Sequence, residues 1–172
     1  MINTNTASGA AYGTVLHKIM ELLIPYADMD AVYIQKSVKK MISDKLLPED
    51  AENMVKPDKI LNFYRSDLGR RIMQSTNVMR EKAFEVQIDA NILYPETDSS
   101  EKIILQGIID CCFEEDGKLV LVDYKTDVYS DASEIHEKYD KQLNAYAYAL
   151  EKILKKPIKE KFFYLFFDNS VV

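Results

Sequence analysis

Only two cysteines occur in the 172 residues, and they are neighbours, Cys111 and Cys112. Two thiolates cannot complete the four-cysteine ligand set of an iron–sulfur cluster. Successive side chains of a strand point to opposite faces, so this pair is also badly placed to bond to itself. Both read as small core residues of a chain kept in a reducing compartment. Excess positive charge is missing as well: 22 Lys and Arg stand against 28 Asp and Glu, a formal net charge of -6. Such a chain does not attract a polyanion as a whole, so any contact with nucleic acid must be local or assisted by a partner. Basic residues recur at Lys36, Lys39, Lys40 and Lys45, and again at Arg65, Arg70, Arg71, Arg80 and Lys82; their spacing reads as solvated helix faces. No apolar run reaches the length of a membrane span, and the opening "MINTNTASGA" lacks the basic and apolar regions of a signal peptide. A cytoplasmic location is the expectation, and the polar start equally suits a scar where a larger chain was trimmed. No Walker A phosphate loop occurs, so this chain alone is not expected to hydrolyse ATP.

What is present is an ordinary soluble composition, 47% hydrophobic and 29% charged, in a chain long enough to bury one core. One domain is expected over residues 1–172, with a helical part at about 9–76 and an α/β core at about 77–172. "SGAAYGTVLHKIMELL" carries Leu16, Ile19, Met20 and Leu23 at helical spacing, with Ser8 near the cap and Pro25 beyond the end. Helical patterns continue to about residue 76, broken at "LLPED" and "VKPDK", where each Pro suits a new helix start. From "REKAFEVQIDANILYP" the pattern alternates, predicting a strand that ends at Pro95 and a polar turn, "ETDSSEK". Two further strands follow in "IILQGIIDCCF" and "KLVLVDYKTD". A helix then shows the stripe Leu143, Tyr146, Ala147, Leu150, Ile153 and Leu154, closed by Pro157. "EKFFYLFF" predicts a last long strand, and "DNS" a turn into one more.

The chemistry sits in "GIIDCCFEEDGKLVLVDYKTD", residues 107–127. Asp116-Gly117 is a dipeptide preferred in two-residue hairpin turns. With that loop Glu115 faces Lys118, and counting back sets Asp110 opposite Asp123. A loop of four residues keeps the two acids on one face, whereas one of three separates them. Opposed residues have Cβ atoms roughly 4.5–5.5 Å apart, and like charges there destabilise the sheet unless something offsets them. A divalent cation would do so. Lys125, two residues past Asp123, projects from the same face, and Tyr124 from the other. Taken singly, a buried Asp can accept backbone hydrogen bonds, and a Lys at a strand end can keep its head in water. Two Asp and a Lys on one face of adjoining strands point instead to a site.

"GTVLH" ending at His17, "REKAF", "GIID" ending at Asp110, "VDYKTD" and "QLNAY" from Gln142 to Tyr146 occur in that order along nearly the whole chain. In these motifs the sequence resembles the RecB-like branch of the PD-(D/E)XK nuclease superfamily. The resemblance implies a restriction-endonuclease-like α/β fold, a four-stranded mixed sheet flanked by helices, with the acids at its bent centre. It implies that His17, Asp110, Asp123 and the Tyr124 carbonyl bind Mg²⁺ or Mn²⁺, a hard ligand set in which Mn²⁺ tolerates the imidazole better. It also implies that Lys125 is the catalytic lysine and that Gln142 and Tyr146, one helical turn apart, form an accessory motif. The implied partners, feeding single-stranded DNA to the site, are a helicase in the same intact chain and an AddB-like subunit. From the residues alone, His17 is a satisfied helix residue or a ligand. Glu81 is either a site acid or a partner of Arg80 or Lys82, Tyr146 either packs or meets substrate, and His136 is exposed. Two other readings of the same pattern are an inert nuclease-like module that holds DNA or a partner, and a stand-alone phage-type exonuclease.

Overall fold

A computed structural model of the chain describes residues 4–94, 96, 101–129 and 131–172. Six α-helices and five strands are present among them: α1 (Thr4–Leu22), α2 (Ala31–Ser43), α3 (Ala51–Met54), α4 (Pro57–Arg65), α5 (Asp67–Gln74), β1 (Val78–Asp89), β2 (Lys102–Glu115), β3 (Lys118–Lys125), α6 (Ala132–Leu154), β4 (Ile158–Leu165) and β5 (Ser170–Val171). The sheet runs in the order β1-β2-β3-β4-β5. β1 with β2, β2 with β3, and β4 with β5 are antiparallel. β3 and β4 are joined through α6, the long crossover that a parallel pair needs. Their rungs advance together, from Leu119 N–H on the Pro157 carbonyl to Phe166 N–H on the Lys125 carbonyl. The expected α/β class and helical front part are therefore present, and the mixed sheet has five strands instead of four. The extra one is the two-residue β5, reached through the turn expected at "DNS".

The chain forms two compact units: residues 1–76, 124–127 and 164–171 make the first, and residues 77–123, 128–163 and 172 the second. Both β3 and β4 begin in the second unit and finish in the first.

In the first unit, Leu16, Ile19, Met20 and Leu23 of α1 are all buried, as the spacing predicts. Full burial of each such side chain contributes roughly 1.5–3 kcal/mol. The helix starts at Thr4, so Ser8 lies inside it and not at its cap; the side chain of Ser8 is outside the described residues. Asp30 caps α2 by accepting from the Tyr33 amide at 2.7 Å. Pro57 opens α4, where its missing N–H costs nothing. An aromatic cluster joins this unit's segments: Phe63 meets Tyr124, Tyr164 and Phe166 with ring centroids 5.3, 4.6 and 5.9 Å away.

In the second unit, β1 ends at Asp89 and a short 3-10 turn, Ala90–Ile92, follows, so the strand is shorter than expected; Pro95 lies outside the described residues. Cys111 and Cys112 are buried, free thiols. Burial, and secondarily the neighbouring Cys111, pushes the Cys112 thiol up to about 12. α6 starts at Asp131, whose carboxylate accepts from the amides of Ser133 and Glu134. It ends at Leu154, where Lys155 turns left-handed, before Pro157 is reached. Leu143, Ala147 and Leu150 of the expected stripe are buried, while Ile153 is exposed and Ala145 and Ala149 are buried in addition. These two alanines widen the face that packs.

Candidate metal centre and active site

The β2–β3 hairpin turns at Asp116 and Gly117, with φ of 53° and 74°. Both residues are left-handed, as a two-residue primed turn requires. Glu115 pairs with Lys118, Phe113 with Val120 and Cys111 with Val122. One residue further on, the same register sets Asp110 across from Asp123. β1 adds a third acid to this row. Arg80 pairs with Cys111 and Lys82 with Ile109, so Glu81 stands opposite Asp110 on the other side. Glu81 and Asp110 are thus neighbours on β1 and β2, and Asp123 stands on β3 one residue past the last paired rung, Cys111–Val122.

Glu81 is also the point where β1 departs from extended backbone. Its φ is 45°, a left-handed conformation in mid-strand. For a residue with a Cβ such a conformation costs of order 1–3 kcal/mol and persists only where the surroundings impose it. The kink adds no residue to the register. It re-aims one side chain, and the carboxylate oxygens of Glu81 and Asp110 come within 4.8 Å of each other. Asp123 is 8% exposed, the one buried charged residue among those described, while Glu81 and Asp110 are half-buried. Two carboxylates this close could share a cation, which would offset their like charge.

Local packing in the first unit orients the end of β3. Tyr124 is buried, with its ring 5.3 Å from Phe63, 5.6 Å from Phe166 and 5.8 Å from His17, the last edge-on. Lys125 is half-buried, and its carbonyl accepts from the Phe166 amide at 2.9 Å. Gly13, one turn before His17 on α1, faces Thr126: a Cβ there would stand 3.1 Å from the threonine hydroxyl. The glycine of "GTVLH" thereby admits the "YKT" segment beside α1.

Gln142 and Tyr146 meet as their spacing predicts, the Gln142 amide donating to the Tyr146 hydroxyl at 3.2 Å. Tyr146 packs edge-on to Phe84 at 5.0 Å and covers Gly107. The alternation of β2 turns Gly107 and Asp110 to opposite faces, so this packing does not carry Tyr146 to the acidic row. His136 is exposed, as expected, and pairs with Asp140 at 2.8 Å. Glu81 is one of the residues that the sequence left undecided. Its signal, an acid entering the first strand in "REKAF", gains weight only when register and backbone strain are seen.

Residues 2–171 match the PD-(D/E)XK nuclease superfamily, and the chain belongs to that superfamily. More particularly, it is similar to proteins of the AddA group, whose name describes one component of an ATP-dependent helicase/nuclease. One, from Clostridium botulinum (strain 657 / Type Ba4), is 39% identical over 164 residues, covering 92% of this chain and 13% of the relative. Another, from Thermoanaerobacter sp. (strain X514), is 38% identical over 170 residues, covering 96% and 14%. The chain thus spans about one-seventh of the length of these relatives. Among the described residues, no helix is long and apolar enough to cross a membrane.

Proposed function

We propose that this chain is a metal-dependent deoxyribonuclease domain that hydrolyses phosphodiester bonds as an exonuclease, acting on single-stranded DNA. The observation that carries the reading is the row Glu81, Asp110 and Asp123 across three adjacent strands, with backbone strain retained at Glu81. A cation held between these carboxylates would offset their like charge.

The donor set fits a divalent cation: carboxylates of Asp110 and Asp123, the Tyr124 carbonyl and the imidazole of His17, with Glu81 added, are mainly hard ligands suited to Mg²⁺ or Mn²⁺. When bound, such an ion lowers the pKa of a water ligand and polarises the phosphate. The remaining work belongs to the chain. Lys125, on the face of β3 that carries Asp123, orients the attacking water and donates to the charge that grows on the phosphate oxygens. Tyr124, held on its other face by Phe63 and Phe166, sets the direction of that strand end. Gln142 and Tyr146, joined by a hydrogen bond, would touch the DNA strand away from the acidic row.

By analogy with the relatives' name, a helicase in the same intact polypeptide would supply the strand, working with an AddB-like partner, in double-strand break repair and recombination. A threaded strand also reconciles a DNA substrate with a net charge of -6. The test is incubation of end-labelled single-stranded DNA with Mn²⁺ or Mg²⁺. Cutting by the wild type that disappears in Asp123→Ala is expected; equal absence of cutting in both would identify an inert module.

A further inference from the structure

Beside the end of β3 the first unit contains a second feature that the nuclease reading does not use. It is a pocket of about 240 Å³, floored by Phe166 and walled by Tyr12, Met54 and Thr126. Lys56, Lys59 and Phe167 complete its lining. Phe166 is buried, whereas Phe167 is 53% exposed. Lys59 donates to the Phe167 carbonyl at 2.5 Å, which fixes the segment that presents the ring. The neighbouring carboxylate, Asp168, accepts from the Ser170 hydroxyl at 2.7 Å and its amide at 3.0 Å, and also feels the charge of Lys59. Two lysines, three aromatic residues and a threonine therefore line the same space.

We propose that this pocket binds one nucleotide of the DNA strand, its base stacked on Phe167 and Tyr12 and its phosphate on Lys56 and Lys59. The inference rests on the nuclease reading for its substrate and adds a subsite to it. Three observations select this occupant. The pocket is smaller than the roughly 300–1,000 Å³ of sites that enclose a drug-sized ligand, so it takes one ring and not a folded molecule. Aromatic faces combined with cations are the recognition set for unpaired nucleotides, because every base has a π-face and every unit a phosphate. Thr126 directly follows Lys125 in the chain, and Tyr12 precedes Gly13 of the His17 motif, so the elements that build the pocket are the ones that carry proposed site residues. The lysines also supply the local positive charge that an acidic chain needs to hold a polyanion.

The experiment is fluorescence anisotropy of a labelled short oligothymidylate on the whole 172-residue chain, in chelator so that nothing is cut. Phe167→Ala is expected to weaken binding about tenfold, in line with the loss of one stacked base. Phe167→Tyr is expected to retain wild-type affinity. Lys56→Ala should reduce the slope of log K against log salt by about 0.7, the loss of one phosphate contact to a single strand. Phe167 is half exposed and Lys56 exposed, so neither truncation should lower the melting temperature, which is checked in parallel. Equal affinities for Phe167→Ala and wild type, or no binding by the wild type, overturn the subsite. Loss of cutting in Asp123→Ala with binding intact tests the nuclease reading separately, since the anisotropy does not depend on hydrolysis.

Discussion

A Cβ added to Gly107 would stand 2.4 Å from the hydroxyl of Tyr146 and 2.6 Å from its ring carbon. Glycine is thus what lets α6 lay this tyrosine flat on β2, where Phe84 meets it edge-on. Gly107→Ala should force the ring away, since atoms at that separation cannot coexist. The expected cost is about 1–3 kcal/mol, the usual range for overpacking. Thermal melting of the variant measures it, and Gly107→Ala combined with Tyr146→Ala should recover part of the loss, because the clash is then gone.

Glu81 separates function from stability. Glycine adopts positive φ freely, so Glu81→Gly relieves the strain at 45° and removes one carboxylate from beside Asp110. In metal-free buffer the variant should melt no lower than wild type. Its affinity for Mn²⁺ should fall at least about tenfold, a loss of roughly 1.4 kcal/mol. Calorimetric titration with Mn²⁺ checks the second point. A variant that melts lower but binds Mn²⁺ normally would assign Glu81 to packing alone.

Tyr164 supplies a pH-dependent prediction. Its hydroxyl is buried without a hydrogen-bond partner among the described residues. Burial first, and Asp168 second, raise its pKa above the ordinary 10.0. The folded state therefore keeps this proton longer than the unfolded one. The contribution is constant below about pH 10, and stability falls as pH rises beyond it, because the unfolded chain then binds fewer protons. Tyr164→Phe should remove that alkaline loss and, by deleting an unsatisfied hydroxyl, stabilise the protein by about 1 kcal/mol at neutral pH. Urea unfolding at pH 7 and above pH 10 tests both statements.

Much of this arrangement is legible in the sequence where local rules dominate. The Asp116-Gly117 dipeptide specifies its turn, and the turn specifies the register from Glu115–Lys118 to Cys111–Val122. The α1 stripe and Pro57 are equally local. Longer-range facts are not. The end of β1 at Asp89 depends on tertiary contacts, among them the Ala90 amide donating to the Glu101 carbonyl. The kink at Glu81 contradicts the residue's own preference, so no propensity argument finds it. The packing of Tyr146 over Gly107 couples residues far apart in the chain, and neither alone signals the other. The division into two units, with β3 and β4 crossing between them, likewise has no composition break to mark it.

The central claim is that the acids on β1, β2 and β3 are placed to grip a cation. Melting temperatures of the wild type and Asp110→Asn, each measured in chelator and in Mn²⁺, test it most directly. In chelator, Asp110→Asn should melt as high as the wild type or higher, because the asparagine removes repulsion from Glu81 and Asp123. Mn²⁺ should raise the melting temperature of the wild type and leave the variant nearly unmoved, since an ion that binds only the folded state stabilises it by mass action. A wild type indifferent to Mn²⁺, or equal shifts in both proteins, would contradict the account.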